Sequence, residues 1–197
     1  SLWFHAVQEE ARCFETTPEL ARVAGEITAG LTRDEDKVAA LNHWVAENIR
    51  YIGLHMGAGE GYTLHPAAMT LRDRGGVCKD KAGILVALLR AAGLESYAAM
   101  TMAGERIERL AADHFNHCVT VWRKPDATTV LLDPTWIPGV REMWSSREQQ
   151  QEVLMGLPEG ADLMTTPLSP PENHPLRVTI DSALRPDGTI EGRMRLA

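Results

Sequence analysis

Several features are missing from this sequence, and each absence removes a class of function. No run approaches eighteen consecutive apolar residues, so no membrane-spanning helix is written into the chain. The opening residues, SLWFHAVQEE, lack the basic and apolar regions of a secretory signal. Basic charge is in deficit: 20 Lys and Arg stand against 27 Asp and Glu, a net charge of −7. A chain of that sign gains nothing from counterion release, which argues against nucleic acid or an anionic membrane as partner. The glycines at 57, 59 and 61 precede no Gly-Lys-Ser/Thr and open no helix, so they do not form a phosphate loop. Internal repeats and low-complexity tracts are lacking. Cysteine is scarce: Cys13, Cys78 and Cys118 are an odd set, against a disulfide framework. None is paired at CxxC spacing, so neither a zinc ribbon nor a thioredoxin-type site is indicated.

What remains is a globular chain of 197 residues, 44% hydrophobic and 24% charged, enough for one domain and a fragment of another. Residues 1–16 read as an extended lead-in from a preceding, missing domain. Thr17-Pro18-Glu19 marks a helix start, with Thr17 as cap, and that helix ends near Gly30. A second helix is expected over TRDEDKVAALNHWVAENIRYI, with Thr32 and Glu35 as a capping box. Val38, Leu41, Val45 and Ile49 form its inward stripe, and Asp36, Lys37, Glu47 and Arg50 its outer face. The segment 53–77 is loop-rich, with a short helix from Pro66 to about Asp73. CKDKAGILVALLRAA, residues 78–92 closed by Gly93, is apolar on nearly every side and reads as a central buried helix.

Strand patterns follow at 96–102, 117–122 and 128–133, the last two joined as a hairpin around Arg123-Lys124-Pro125-Asp126. A polar helix is expected from Ser146 to Met155, then a proline-rich linker at 167–175. The tail reads as another hairpin around Pro186-Asp187-Gly188, with Val178, Ile180, Leu184, Ile190, Met194 and Leu196 on one face. The expected organisation is a lead-in at 1–16, a core at 17–166, a linker at 167–175, and the truncated start of a β-rich domain at 176–197.

Chemistry concentrates on Cys78. It follows Gly75-Gly76 with Val77 between and begins the buried helix, so the helix dipole favours its thiolate. A thiolate nucleophile needs a base, and the base an orienting partner. A hairpin centred on Pro125 sets His117 opposite Asp133 and Val119 opposite Leu131, which supplies that pair on one face. The bland alternative makes His117 a polar strand end and Asp133 the opening of an Asp-Pro-Thr turn. A metal reading also competes, since Asp113, His114, His117 and Cys118 are close in DHFNHC. Strand alternation sends His117 and Cys118 to opposite faces, so they do not share an ion, and no metal or cofactor is expected.

Three blocks, RGGVCKDKAGILVALLRAAGLESYAAM, FNHCVTVW and LLDPTW, resemble the transglutaminase-like superfamily over roughly residues 34–137. The most specific is Gly76, Cys78, Asp80 and Ala82 in the Gly-x-Cys-x-Asp-x-Ala pattern. The CKDK and HPAAMTL wording is similar to bacterial members flanked by β-rich domains of unknown function. The resemblance implies an α+β, papain/transglutaminase-like core, the nucleophile helix packed on an antiparallel sheet, plus the partial β-rich C-terminal segment. Carried over by motif, Cys78 is the nucleophile, His117 the general base and then acid, and Asp133 the orienter. A second oxyanion donor is sought upstream among His55, Tyr62 and His65, none of which matches a family pattern, and Trp136 could wall the cleft.

The expected function is that of a cysteine hydrolase (peptidase or amidase) or a transglutaminase-like acyl transferase working through a thioester. Hydrolysis is favoured, and an arylamine-acetyltransferase-like reaction is a more distant version. The alternative is a non-catalytic peptide- or glycan-binding module of a cell-envelope protein. Expected partners are a peptide, protein or cell-wall-derived amide substrate and the flanking domains of the same chain. The resemblance also implies an extracytoplasmic, periplasmic or secreted, location.

Overall fold

A computed structural model of the chain describes residues 2–10, 12–53, 63–105, 107, 114–135, 148–173 and 175–196. Its first element is a helix, α1 (Leu2–Glu10), where the sequence suggested extended chain. No cap or stripe announces it. Phe4 and Gln8, one turn apart, are both buried, and Phe4 packs with Phe14, Ala98 and Met100, so tertiary contact carries the helix. In α2 (Pro18–Ile27) the Thr17 hydroxyl accepts from Leu20 N–H at 3.3 Å, the cap expected of Thr-Pro-Glu.

Helix α3 (Asp34–Asn48) differs from expectation at both ends. Its N-cap is Arg33, with no side-chain cap, so the Thr32–Glu35 box does not form; Glu35 instead joins Asp34 and Asp36 in the first turn, favourable to the helix dipole. At the other end the helix stops at Asn48 instead of running through Ile52. Lys81 donates from Nζ to the carbonyls of Ala46 (3.3 Å) and Ile49 (2.6 Å), and the chain turns into strand β1 (Arg50–Tyr51). The inward stripe is as expected: Val38, Leu41, Val45 and Ile49 are fully buried.

Helix α4 (Ala67–Asp73) leads to strand β2 (Gly75–Gly76), which pairs in parallel with β1, Arg50 with Gly75 and Tyr51 with Gly76. Then comes α5 (Cys78–Ala91), in which every residue from Lys79 to Leu89 is buried. One side packs Ile84, Leu85, Leu88 and Leu89 against Leu20, Val23, Val38, Leu41 and Val45. The other packs Ala82 and Val86 against Ala98, Met100 and Cys118 of the sheet.

That sheet comprises β3 (Ser96–Thr101), β4 (His117–Arg123), β5 (Thr129–Leu132), β6 (Glu152–Met155) and β7 (Met164–Thr165), antiparallel in the order β5-β4-β3-β6-β7. The segment expected as a polar helix at 146–155 therefore ends in a strand. Gln150 has φ +57, and Val153 and Met155 alternate inward against β3. Strand pairing overrides the helix propensity of its Glu and Gln residues. Thr120 ties β4 to α5, donating to the Ala82 carbonyl at 3.1 Å, and Ser96 ties β3 through the Val86 carbonyl at 3.1 Å. The fold is α+β, the helix that begins at Cys78 packed on an antiparallel sheet.

The tail forms a separate hairpin, β8 (Val178–Leu184) and β9 (Ile190–Leu196), in the expected register, Val178 facing Leu196 and Leu184 facing Ile190. Gly188 takes φ +86 in its turn, and both strands are exposed throughout.

The burial of α5 sets a stability test. Leu88 has no exposed surface. Leu88→Ala should lower the unfolding free energy by roughly 2–5 kcal/mol, read from urea denaturation; a loss below about 1 kcal/mol would contradict its place in the core.

Candidate active site

The site begins at the first turn of α5. Asp80, buried, accepts through Oδ2 from the Val77 N–H at 2.9 Å, which satisfies a donor just ahead of the helix. Its Oδ1 meets His65 Nδ1 at 2.8 Å. Gly76 makes this fit: a Cβ there would stand 2.5 Å from Asp80 Cβ and 2.8 Å from Oδ2. The glycine and aspartate of the Gly-x-Cys-x-Asp pattern are thus two halves of one contact.

Cys78 is half-buried at the head of the helix. Burial pushes its thiol up, but the hydrogen bond and positive charge of His117 oppose that, as do the N–H groups of Cys118 and Lys79, and the net shift is downward. His117 is 8% exposed and Asp133 4%. His117 Nε2 lies 2.8 Å from Asp133 Oδ2. Burial disfavours the imidazolium, yet the hydrogen bonds to Asp133 and Cys78, with the charges of both, raise its pKa to about 10. The structure therefore brings Cys78, His117 and Asp133 together.

The way it does so differs from the expected register. Thr120 faces Leu132 and Val121 faces Leu131, so His117 is not directly opposite Asp133 but diagonal to it. Ala127, with φ +65, donates to the Lys124 carbonyl, and the Asp126 carboxylate accepts from Thr128 N–H. This turn moves the hairpin centre from Pro125 to Asp126. One residue at the centre is two in the pairing, and a two-residue slip preserves every face. Asp133 also opens its turn: Oδ1 accepts from Thr135 N–H at 2.8 Å, leaving Oδ2 for the imidazole.

Glu148 was not singled out from sequence. It is 2% exposed, with Oε1 3.9 Å from His117 Nε2. Among the described residues, His117, Asp133 and Glu148 form the group able to hold a metal ion, their ligand atoms within 4.8 Å of one another. That set differs from the DHFNHC cluster, since Cys118 packs beside Ala82 and Met100. No local pattern marks Glu148; it arrives through the pairing of β6 and β7, where the Thr166 hydroxyl binds its carbonyl. Cys13 donates to the Leu64 carbonyl at 3.1 Å, and burial raises both its thiol and that of Cys118, which suits packing thiols. His65 is held by Asp80, while His55, Tyr62 and Trp136 lie outside the described residues.

The sequence pattern of the transglutaminase-like superfamily matches residues 21–138. The chain belongs to the transglutaminase-like superfamily. Among solved structures, this transglutaminase-like chain is similar to a candidate protease from Parabacteroides distasonis, with a TM-score of 0.60 at 18% identity, over 85% of this chain and 31% of that one. A candidate cysteine protease from Cytophaga hutchinsonii aligns at 22% identity and a TM-score of 0.49, over 63% of this chain and 39% of that one. The periplasmic domain of TgpA from Pseudomonas aeruginosa aligns at 22% and 0.45, over 66% and 49%. The chain thus spans between about a third and a half of the solved structures it resembles. No curated protein matches it. No helix among the described residues is long and apolar enough to cross a membrane.

Gly76→Ala tests the first turn of α5. Displacing Asp80 should cost about 1–3 kcal/mol of stability, by loss of the Val77 acceptor, and slow alkylation of Cys78 by iodoacetamide. Unchanged denaturation and labelling would show that the close approach is dispensable.

Proposed function

We propose that the protein is a cysteine hydrolase, a peptidase or amidase, working through a Cys78 thioester with His117 as general base and acid and Asp133 as orienter. The observation that supports this reading most is the buried His117 imidazole, its Nε2 2.8 Å from Asp133 Oδ2, beside Cys78 at the head of α5, a setting that lowers the thiol pKa and raises that of the imidazole. Such a setting favours thiolate and imidazolium before substrate arrives. The thiolate forms a C–S bond with an amide carbonyl, the imidazolium gives its proton to the departing nitrogen, and the neutral imidazole then activates water against the thioester. Transfer to an amine follows the same path with a different acceptor. Water is favoured here, a reading in keeping with the protease descriptions of the structural neighbours. The proposed substrates are peptide, protein or cell-wall-derived amides. Family resemblance extends the proposal to an extracytoplasmic location and to flanking domains that accompany this one.

The pH dependence follows from the signs of the two shifts. His117 stays protonated until the pH rises through about 10, whereas Cys78 loses its thiolate only as the pH falls through its lowered value. The ion pair occupies the window between. Iodoacetamide labelling of Cys78 should therefore show a midpoint below the ordinary thiol value of about 8.5. His117→Ala should raise that midpoint, and Asp133→Asn should impair turnover with the fold retained. Mass spectrometry after incubation with peptide and cell-wall fragment libraries should find acyl adducts on Cys78. An ordinary midpoint, unmoved by His117→Ala, would falsify the activated nucleophile.

A further inference from the structure

With Nε2 of His117 held by Asp133, the nitrogen left to exchange protons is Nδ1. Its aim depends on the ring not turning about the Cβ–Cγ bond, and one acceptor on Nε2 leaves the ring a pivot. The sheet supplies a second acceptor from the other direction. In the order β5-β4-β3-β6, Asp133 follows β5, the neighbour of β4, whereas Glu148 precedes β6, which lies beyond β3. The two carboxyls thus come to His117 from opposite sides of its strand. Glu148 Oε1 stands 3.9 Å from the same Nε2 that Asp133 Oδ2 holds at 2.8 Å. That is too long for a hydrogen bond, and a shift of about 1 Å would make one.

Glu148 is held in place through its backbone. Its carbonyl accepts from the Thr166 hydroxyl, which itself accepts from Gln151 N–H at 3.0 Å, and Thr166 N–H donates to the Gln151 carbonyl at 2.8 Å. Thr101, the register partner of His117, donates through its hydroxyl to the Glu152 carbonyl at 2.9 Å. The segment that carries Glu148 is therefore tied to the end of β7 on one side and to the neighbour of His117 on the other. A carboxyl is costly to bury, and this one is buried facing the imidazole.

We infer that Glu148 is a positioning residue, a reserve acceptor that holds His117 Nε2–H when Asp133 releases it. The inference deepens the reading of His117 as general base and rests on it. The step that shows this best is hydrolysis of the thioester. Water forms a C–O bond to the thioester carbon and gives a proton to His117 Nδ1; the C–S bond then breaks, its electron pair goes to sulfur, and the free acid leaves. Nε2 keeps its proton throughout, on Asp133 or on Glu148, so the ring keeps its aim while its charge changes.

The test is a double-mutant cycle on loss of acetyl from Cys78, loaded with p-nitrophenyl acetate and followed by intact mass, each variant at the pH of its own maximum rate. Asp133→Asn keeps Oδ1 for Thr135 N–H and turns an amide nitrogen toward Nε2, where it cannot accept. Glu148→Met removes the reserve oxygen and leaves the backbone clip. Deacetylation should slow about threefold in Glu148→Met and about tenfold in Asp133→Asn, where Glu148 takes over. The double variant should lose several hundredfold, the full share of a general base and well beyond the product of the single losses. In the Asp133→Asn background Glu148→Gln, which retains an oxygen, should stay within about threefold of Asp133→Asn alone; should the Met pair fail to unfold cooperatively in urea, this pair decides. A double loss equal to or below the product would overturn the inference, because Glu148 would then act apart from the imidazole. So would a Gln pair more than about tenfold slower than Asp133→Asn, or a parent rate altered by EDTA, the mark of a metal ion at these side chains. If the parent alkylates with iodoacetamide but never forms or never loses acetyl-Cys78, the hydrolase reading itself fails and takes the inference with it.

Discussion

The surroundings of the Cys78 sulfur constrain the rest of the site, because the sulfur is half-buried and burial alone would push its thiol up. Desolvation is the largest influence on this thiol, and it acts upward. The net downward direction is the remainder after several smaller influences are combined: the hydrogen bond from His117, its charge, and two backbone N–H groups. A balance of this kind depends on all its donors being placed at once. Moving the imidazole away would leave burial in control and restore an inert thiol.

The fold can be understood as the means of keeping those donors in place. Helix α5 cannot shift along its axis, since apolar clusters grip it on two sides and Asp80 ties its first turn to Val77 and His65. Lys81 reaches from the same helix to the end of α3, holding the point at which the chain leaves the helix for β1. Burial lowers the Lys81 pKa to about 8 against the opposing charge of Asp133, so an amine that is costly to bury is spent on two helix-end carbonyls. Helix, strand pair and Cys78 form one connected set.

How much of this was legible in the sequence depended on the range of the interaction. The buried helix over 78–91 and the stripe of Val38, Leu41, Val45 and Ile49 follow from periodicity within a few turns. The meeting of His117 and Asp133 survived a misplaced hairpin centre because strands alternate with period two, so the slip altered opposition but not face. The end of α3 was misread because the residue that caps it, Lys81, lies 32 positions beyond Ile49. Strand β6 was misread because its partner is β3, some fifty residues earlier. Glu148 shares that cause: it reaches the site through a pairing between distant segments and carries no local signature.

His117 and Cys118 show how closely sequence and site are joined. Adjacent residues on a strand point to opposite faces, which is why the pair cannot share a metal ion. The same alternation lets the dipeptide serve the sulfur twice, through the His117 imidazole and through the Cys118 N–H. The Cys118 side chain is meanwhile buried beside Ala82, Val86 and Met100, and this packing positions the backbone that carries both groups. Cys118 is thus chemically silent, its thiol raised by burial, and still governs where the donors stand. A larger side chain there would push β4 away from α5 and take imidazole and amide from the sulfur together. The two cysteines differ in setting: the Cys78 thiol is lowered by groups of His117 and Cys118, and the Cys118 side chain, by packing, holds the backbone that carries those groups.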